Sequence, residues 1–194
     1  MKSIAISGSP RENVGKRDAK ELRYQGLVPS VLYGGTTQTH FSVSAADLKP
    51  AVYTPDVHFI DLDIAGVKSQ AVIQDIQFHP LTEQMLHVDF LLLDEKKPVT
   101  VEIPIRITGT SPGVKMGGKL VQKLRKLRVK GLPKDHLDNI EVSIEGLEVG
   151  KSVRVGEISA PNLTITNAPE DTILSITTSR ALRQAEQEAA AGKK

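Results

Sequence analysis

The sequence predicts a mainly β protein of two domains in tandem, with one or two short helices and a short C-terminal tail. Three observations lead there. Apolar and polar residues alternate at period 2 in short stretches, most cleanly at Val99, Val101, Ile103, Ile105 and Ile107. Gly, Pro, Asn and Asp punctuate the stretches, as in barrels and sandwiches. The third observation is a change of charge along a chain of 194 residues, longer than the roughly 100–150 residues of a common domain. Residues 1–94 carry 8 Lys/Arg against 11 Asp/Glu, whereas residues 95–194 carry 17 against 12, within a net charge of +2.

In the first half the apolar patterning predicts strands at 4–6, 31–33, 60–64, 72–78 and 86–92. Residues 16–25 are helix formers closed by Gly26, which suits a C-cap. Ser44-Ala-Ala-Asp47 resembles a capping box, with Pro50 soon limiting the helix that follows. The charged stretch Asp94-Glu-Lys-Lys-Pro98 marks the expected boundary, giving domains at 1–94 and 95–178 and a tail at 179–194. Strands are expected in the second domain at 99–107, 140–144, 153–155, 163–165 and 173–176. Pro104 cannot donate to a ladder, so the first of these should lie at an edge or carry a bulge. The Ala-, Gln- and Glu-rich tail should be helical or mobile and outside the core.

Cysteine is absent, which removes disulfides and thiol chemistry and fits a reducing compartment. The longest aliphatic or aromatic run is Phe90 to Leu93, far short of a membrane span. A cytoplasmic protein without a membrane partner is expected.

Residues 11–35, RENVGKRDAKELRYQGLVPSVLYGG, hold Arg11, Lys16, Arg17, Lys20 and Arg23 in one window, followed by Tyr33 and two glycines. Cations placed to meet phosphates near an aromatic are the materials of nucleic-acid recognition. The same window holds Glu12, Asp18 and Glu21, so a solvated helix face is the plain alternative. Between Glu102 and Asp135 there is no acid, while Arg106, Lys115, Lys119, Lys123, Arg125, Lys126, Arg128, Lys130 and Lys134 all occur. That tract is either a solvated face or a polyanion-facing one.

Two motifs hint at catalysis without supporting it. Residues 113–120, GVKMGGKL, approach a phosphate-binding loop, but Leu120 stands where Ser or Thr should hold magnesium. Their neighbours read as strands, so a glycine-rich turn is expected. His87 and Asp89 share one face of a strand, with His79 nearby, yet no third ligand or nucleophile accompanies them. No enzyme, metal, cofactor or small-molecule substrate is expected.

The first window, followed by QDIQFHPLTEQMLHVDF at 74–90, resembles the bacterial 5S ribosomal RNA-binding family of large-subunit proteins, ribosomal protein L-twenty-five. The second half is similar to the extra domain of the family's long form, general stress protein CTC, through GTSPGVKMGGKL and IEVSIEGLEVGKSVRVGEI. The resemblance spans about residues 3–178. It implies a six-stranded β-barrel that binds 5S ribosomal RNA, a second all-β domain, and a structural role in the large ribosomal subunit, with neighbouring ribosomal proteins as further partners. It implies RNA contacts at Arg11, Lys16, Lys20, Arg23, Tyr33, Gln74, His87 and Asp89. The basic residues Lys115, Lys119, Lys123, Arg125, Lys126 and Arg128 form a candidate secondary contact. This chain departs from the family at Lys20-Glu21, where two arginines are usual, and at Arg17 and Asp18, where small residues are common. A rival expectation is a stress-related protein whose second domain recruits a protein partner, RNA binding being secondary.

Overall fold

The computed structural model describes residues 2–35 and 37–178; the expectation for the tail at 179–194 lies outside them. The described residues form two compact units. The first takes in the chain up to Val101 together with Gly131–Asp138, and the second takes Glu102–Lys130 and the chain from Asn139 onward.

The first unit runs β1 (Lys2–Pro10), α1 (Lys16–Tyr24), β2 (Leu27–Tyr33), β3 (Thr39–Ser44), α2 (Ala45–Val52), β4 (His58–Ile64), β5 (Val67–Phe78) and β6 (Met85–Leu92). The six strands close into a barrel in the order β1-β3-β2-β6-β5-β4. Closure is by parallel pairing of β1 with β4, from Lys2 opposite His58 to Gly8 opposite Ile64. The other parallel pair is β2 with β6. Alternating inward residues fill the interior: Ile6, Val28, Leu32, Phe41, Val43, Ile60, Leu62, Val88 and Phe90 belong to one buried cluster. Phe41 and Phe90 pack with ring centroids 5.5 Å apart and planes tilted by 41°. Leu48 of α2 joins this core fully buried. The Ser44 hydroxyl caps α2 by accepting from the Ala46 amide, and the helix runs through Pro50 to Val52. Pro50 was expected to limit the helix. It forfeits one backbone bond, but Leu48, Ala51 and Val52 all pack on the barrel core, and that burial holds the last turn.

The strand β3 was not among the expected ones. Its sequence, THFSVS, shows only two apolar residues, and neither reveals locally that the barrel will bury both.

Beyond β6 the chain adds β7 (Val99–Thr108), α3 (Pro112–Lys115), β8 (Lys119–Gln122), β9 (Lys126–Gly131), β10 (Ile140–Ser143), β11 (Ser152–Arg154), β12 (Thr164–Ile165) and β13 (Thr172–Thr177), which belong to the second unit except for Val99–Val101 and Gly131. One sheet has the order β10-β7-β9-β12 and the other β11-β13-β8. Thus β7 lies between two strands, not at the expected edge. Its ladder with β10 begins at Ile105, so Pro104 stands just outside the paired stretch on that side. Among the described residues no helix is long and apolar enough to cross a membrane.

Candidate nucleic-acid interface

On the outer face of the barrel, β2, β6 and β5 bring together most of the residues expected in a site. In β6, Val88 and Phe90 point into the core, so His87 and Asp89 face outward. The His87 Nδ1 and Asp89 Oδ1 lie 2.7 Å apart, which fixes the imidazole's orientation. In β2, Val28, Ser30 and Leu32 are buried, leaving Val31 and Tyr33 outward, beside Asp89 and Leu91 of β6 in the parallel register.

A bulge in β5 completes the face. Ile73 sits opposite Phe90 and Asp75 opposite Asp89, so Gln74 is an extra residue without a partner. A bulge bends the strand and re-aims a side chain, and here it leaves Gln74 and Asp75 both exposed. Two carboxylates, Asp75 and Asp89, therefore stand across from each other. Burial pushes the Tyr33 phenol's pKa up, and the charges of Asp89 and then Asp75 push it further the same way. Tyr33 is held as a neutral donor beside two acceptors. Such carboxylates repel phosphate but can accept from base amino groups and ribose 2′-hydroxyls.

The basic helix α1 flanks this face. None of its residues is buried. Lys16, Lys20 and Arg23 are spaced i, i+4 and i+7 and so form one stripe, all exposed. Glu21 falls one residue, about 100° of helix rotation, from Lys20 and off that stripe. The helix ends where Gly26 adopts φ +79°, a conformation suited to glycine. Arg23 then reaches across to donate from Nε to the Leu86 carbonyl at 3.0 Å, next to His87. The Lys20 ammonium lies 5.7 Å from the centre of the Tyr24 ring.

Arg11 behaves differently. Its Nε and one terminal nitrogen both donate to Asp18 Oδ2, at 3.2 and 2.5 Å, and the same terminal nitrogen reaches the Asn13 carbonyl. The Arg11 side chain is only 9% exposed. It ties the segment after β1 to the first turn of α1.

Two residues with suitable chemistry were not singled out from the sequence. Asp75 joins the face only because the bulge resets the register. Tyr24, 80% exposed, is the one aromatic on the basic helix, and that position in the window was the available signal.

The glycine-rich tract 113–119 has a packing explanation. A Cβ on Gly113 would lie 2.8 Å from the Glu148 carbonyl carbon and the Val149 nitrogen, and one on Gly118 would lie 2.6 Å from the Gly113 oxygen. The tract passes from the short α3 into strand β8, whereas a phosphate-binding loop opens a long helix. Among the described residues, no group of three His, Cys, Asp or Glu could hold a metal ion. The basic residues of the second unit are distributed. Lys115 lies in α3 and Lys119 in β8, Lys123 and Arg125 connect β8 to β9, and Lys126 and Arg128 lie on β9.

Comparison with known proteins decides the family. A model described as the Ribosomal L25p family matches residues 6–90, and one described as Ribosomal protein TL5, C-terminal domain, matches residues 98–180. A protein of Cytophaga hutchinsonii named Large ribosomal subunit protein bL25 is 47% identical over 194 residues, covering all of both chains. The chain belongs to the ribosomal L25p family. Proteins of the same name from Amoebophilus asiaticus and Phocaeicola vulgatus are 46% and 44% identical, covering 97% and 95% of this chain and 96% and 97% of their own. The first match contains every barrel residue named above from Arg11 to Asp89, and the second contains β7 to β13.

Proposed function

We propose that the outer face formed by β2, β6 and β5, with α1 beside it, binds 5S ribosomal RNA, and that the protein serves as a non-catalytic structural constituent of the large subunit of the cytoplasmic ribosome. The observation that carries this reading is the Arg23–Leu86 hydrogen bond, which sets the Lys16–Lys20–Arg23 stripe next to the His87–Asp89 pair. Two kinds of chemistry then adjoin. The stripe suits phosphates, because a cation that neutralises a phosphate releases condensed counterions. Tyr33, Gln74, His87, Asp89 and Asp75 offer fixed donors and acceptors, which suit base edges and 2′-hydroxyls in an RNA minor groove or irregular loop. Arg11, bound to Asp18, shapes the approach of α1 and contributes to recognition through that helix. The name shared by the relatives supports the large-subunit role.

Equilibrium binding of the full chain to 5S ribosomal RNA, against an unrelated structured RNA of equal length, tests this across salt. The 5S RNA should bind more tightly throughout. Arg23→Ala and His87→Ala should each weaken it by tenfold or more, since a hydrogen bond to a charged group contributes about 1.5–3 kcal/mol. Equal affinity for both RNAs at every salt concentration would refute the specific reading.

A further inference from the structure

We propose that the exposed face of the sheet β10-β7-β9-β12 is a second RNA site, one that grips the phosphate backbone without reading sequence. In β9, buried Leu127 and Val129 alternate with exposed Lys126, Arg128 and Lys130. Three cations therefore project from one strand at intervals of about 6.7 Å, twice the rise per residue. On the neighbouring β7, Glu102 and Arg106 face the same side. The Arg128 Nε donates to Glu102 Oε1 at 2.8 Å, which establishes that the two strands share this face. Arg106 stands in register with Glu141 of β10, and Lys130 in register with Thr164 of β12. The face thus carries four cations against two carboxylates. Among the described residues, Lys126 and Lys130 have no ion-pair partner.

The character of the ligand follows from what this unit lacks. All seven aromatic residues of the chain, four Phe and three Tyr, lie between Tyr24 and Phe90. Base stacking on aromatic rings is the usual source of affinity for unpaired nucleotides, and residues 95–178 have no ring to offer except the buried His136. A protein partner fits less well. Interfaces between proteins are built around an apolar or aromatic centre, whereas the outward residues here are charged or hydroxyl-bearing apart from half-buried Pro104. A row of cations with neither aromatic nor apolar centre suits a polyanion recognised by charge alone, the sequence-independent mode of nucleic-acid binding. This site stands on its own and needs no result from the barrel face.

The test is fluorescence anisotropy of the full chain with an arbitrary-sequence RNA duplex of about two helical turns, across the salt range in which such binding is steep. The triple variant Arg106→Gln/Lys126→Gln/Lys130→Gln should flatten the log–log salt slope by about 2, at roughly 0.7–0.9 per lost phosphate contact. It should also bind the duplex at least tenfold more weakly at the lowest salt. Lys115→Gln/Lys119→Gln/Lys123→Gln removes the same charge away from this sheet and should keep the slope within about one contact of the parent. In an Arg23→Ala/His87→Ala background the sheet variant should flatten the slope by the same amount, which separates this site from the barrel face. The proposal is overturned if the sheet variant retains the parental slope, or if the control variant loses as much. Displacement of the duplex by poly-glutamate more readily than by poly-uridylate would also overturn it, in favour of an acidic protein partner.

Discussion

Replacing Asp18 by Asn should destabilise the barrel and tighten its grip on RNA, a combination that follows from the Arg11–Asp18 pair. Asp18 accepts two bonds from the Arg11 guanidinium, whose side chain is 9% exposed while that of Asp18 is 36% exposed. A surface ion pair contributes at most about 1 kcal/mol, and breaking a fully buried one costs about 3–5 kcal/mol. A pair with one partner buried and the other half-exposed falls between, at about 2 kcal/mol, including the few tenths that Asp18 contributes at the start of α1. All three tyrosines, Tyr24, Tyr33 and Tyr53, lie in the barrel unit, and the chain has no tryptophan. Tyrosine fluorescence during urea unfolding therefore reports the barrel alone. The helix itself stays in place, because Arg23 still bonds the Leu86 carbonyl and Gly26 still leads into β2. With one carboxylate neutralised and one guanidinium released, the face gains about one phosphate contact's worth of charge. The log–log salt slope for 5S RNA should steepen by about 0.7–0.9. If Asp18→Asn instead weakened RNA binding under conditions where the barrel remains folded, the latched Arg11 would itself be part of the contact surface, and the reasoning would fail.

Two other perturbations probe the fold and its pH response. Gly118→Ala would force a Cβ to within 2.6 Å of the Gly113 oxygen and 2.7 Å of Ile176 Cγ2, so the second unit should lose about 1–3 kcal/mol, read by urea denaturation. Unchanged stability would show that the glycine tract is kept for something other than packing. His136 is 6% exposed. Burial depresses its pKa below 6.5; the nearby Val99 and Gly131 backbones favour the charged form but do not outweigh it. The unfolded chain therefore binds a proton that the folded chain resists, so stability is complete above 6.5 and falls as pH drops toward the folded value. His136→Leu should flatten that acid limb in a series of urea midpoints, and an unchanged limb would assign it to other groups.

Much of this architecture was legible because period-2 alternation is local. Val99 to Ile107, Ile60 to Ile64 and Ile140 to Ile144 each announce which face is buried, and each forms a strand. The strands that escaped notice had their alternation masked by composition. In β9 the inward Leu127 and Val129 are set among three cations, so the stretch reads as a charged tract, and β3 buries Ser42 between Phe41 and Val43. Pro104 misled because a proline needs only an unpaired position, which an interior strand can supply where a neighbouring ladder has not begun. The candidate site divides in the same way. Lys16, Lys20 and Arg23 form a stripe that helix periodicity alone foretells. The placement of Asp75 opposite Asp89 depends on a bulge in the β5–β6 ladder, and the Arg11–Asp18 pair depends on how the segment between β1 and α1 turns. Neither leaves a mark in local sequence.

We propose that 5S ribosomal RNA lies across β2, β6 and β5 with α1 along its edge. Ultraviolet crosslinking of the full chain to 5S RNA, resolved to the residue, tests this most directly. Crosslinks should fall on Tyr33 and His87, with further ones on the Lys16–Lys20–Arg23 stripe of α1. Crosslinks confined to the opposite side of the barrel, on the groove lined by Ser7, Asp61, Asp63 and Lys68, would contradict it.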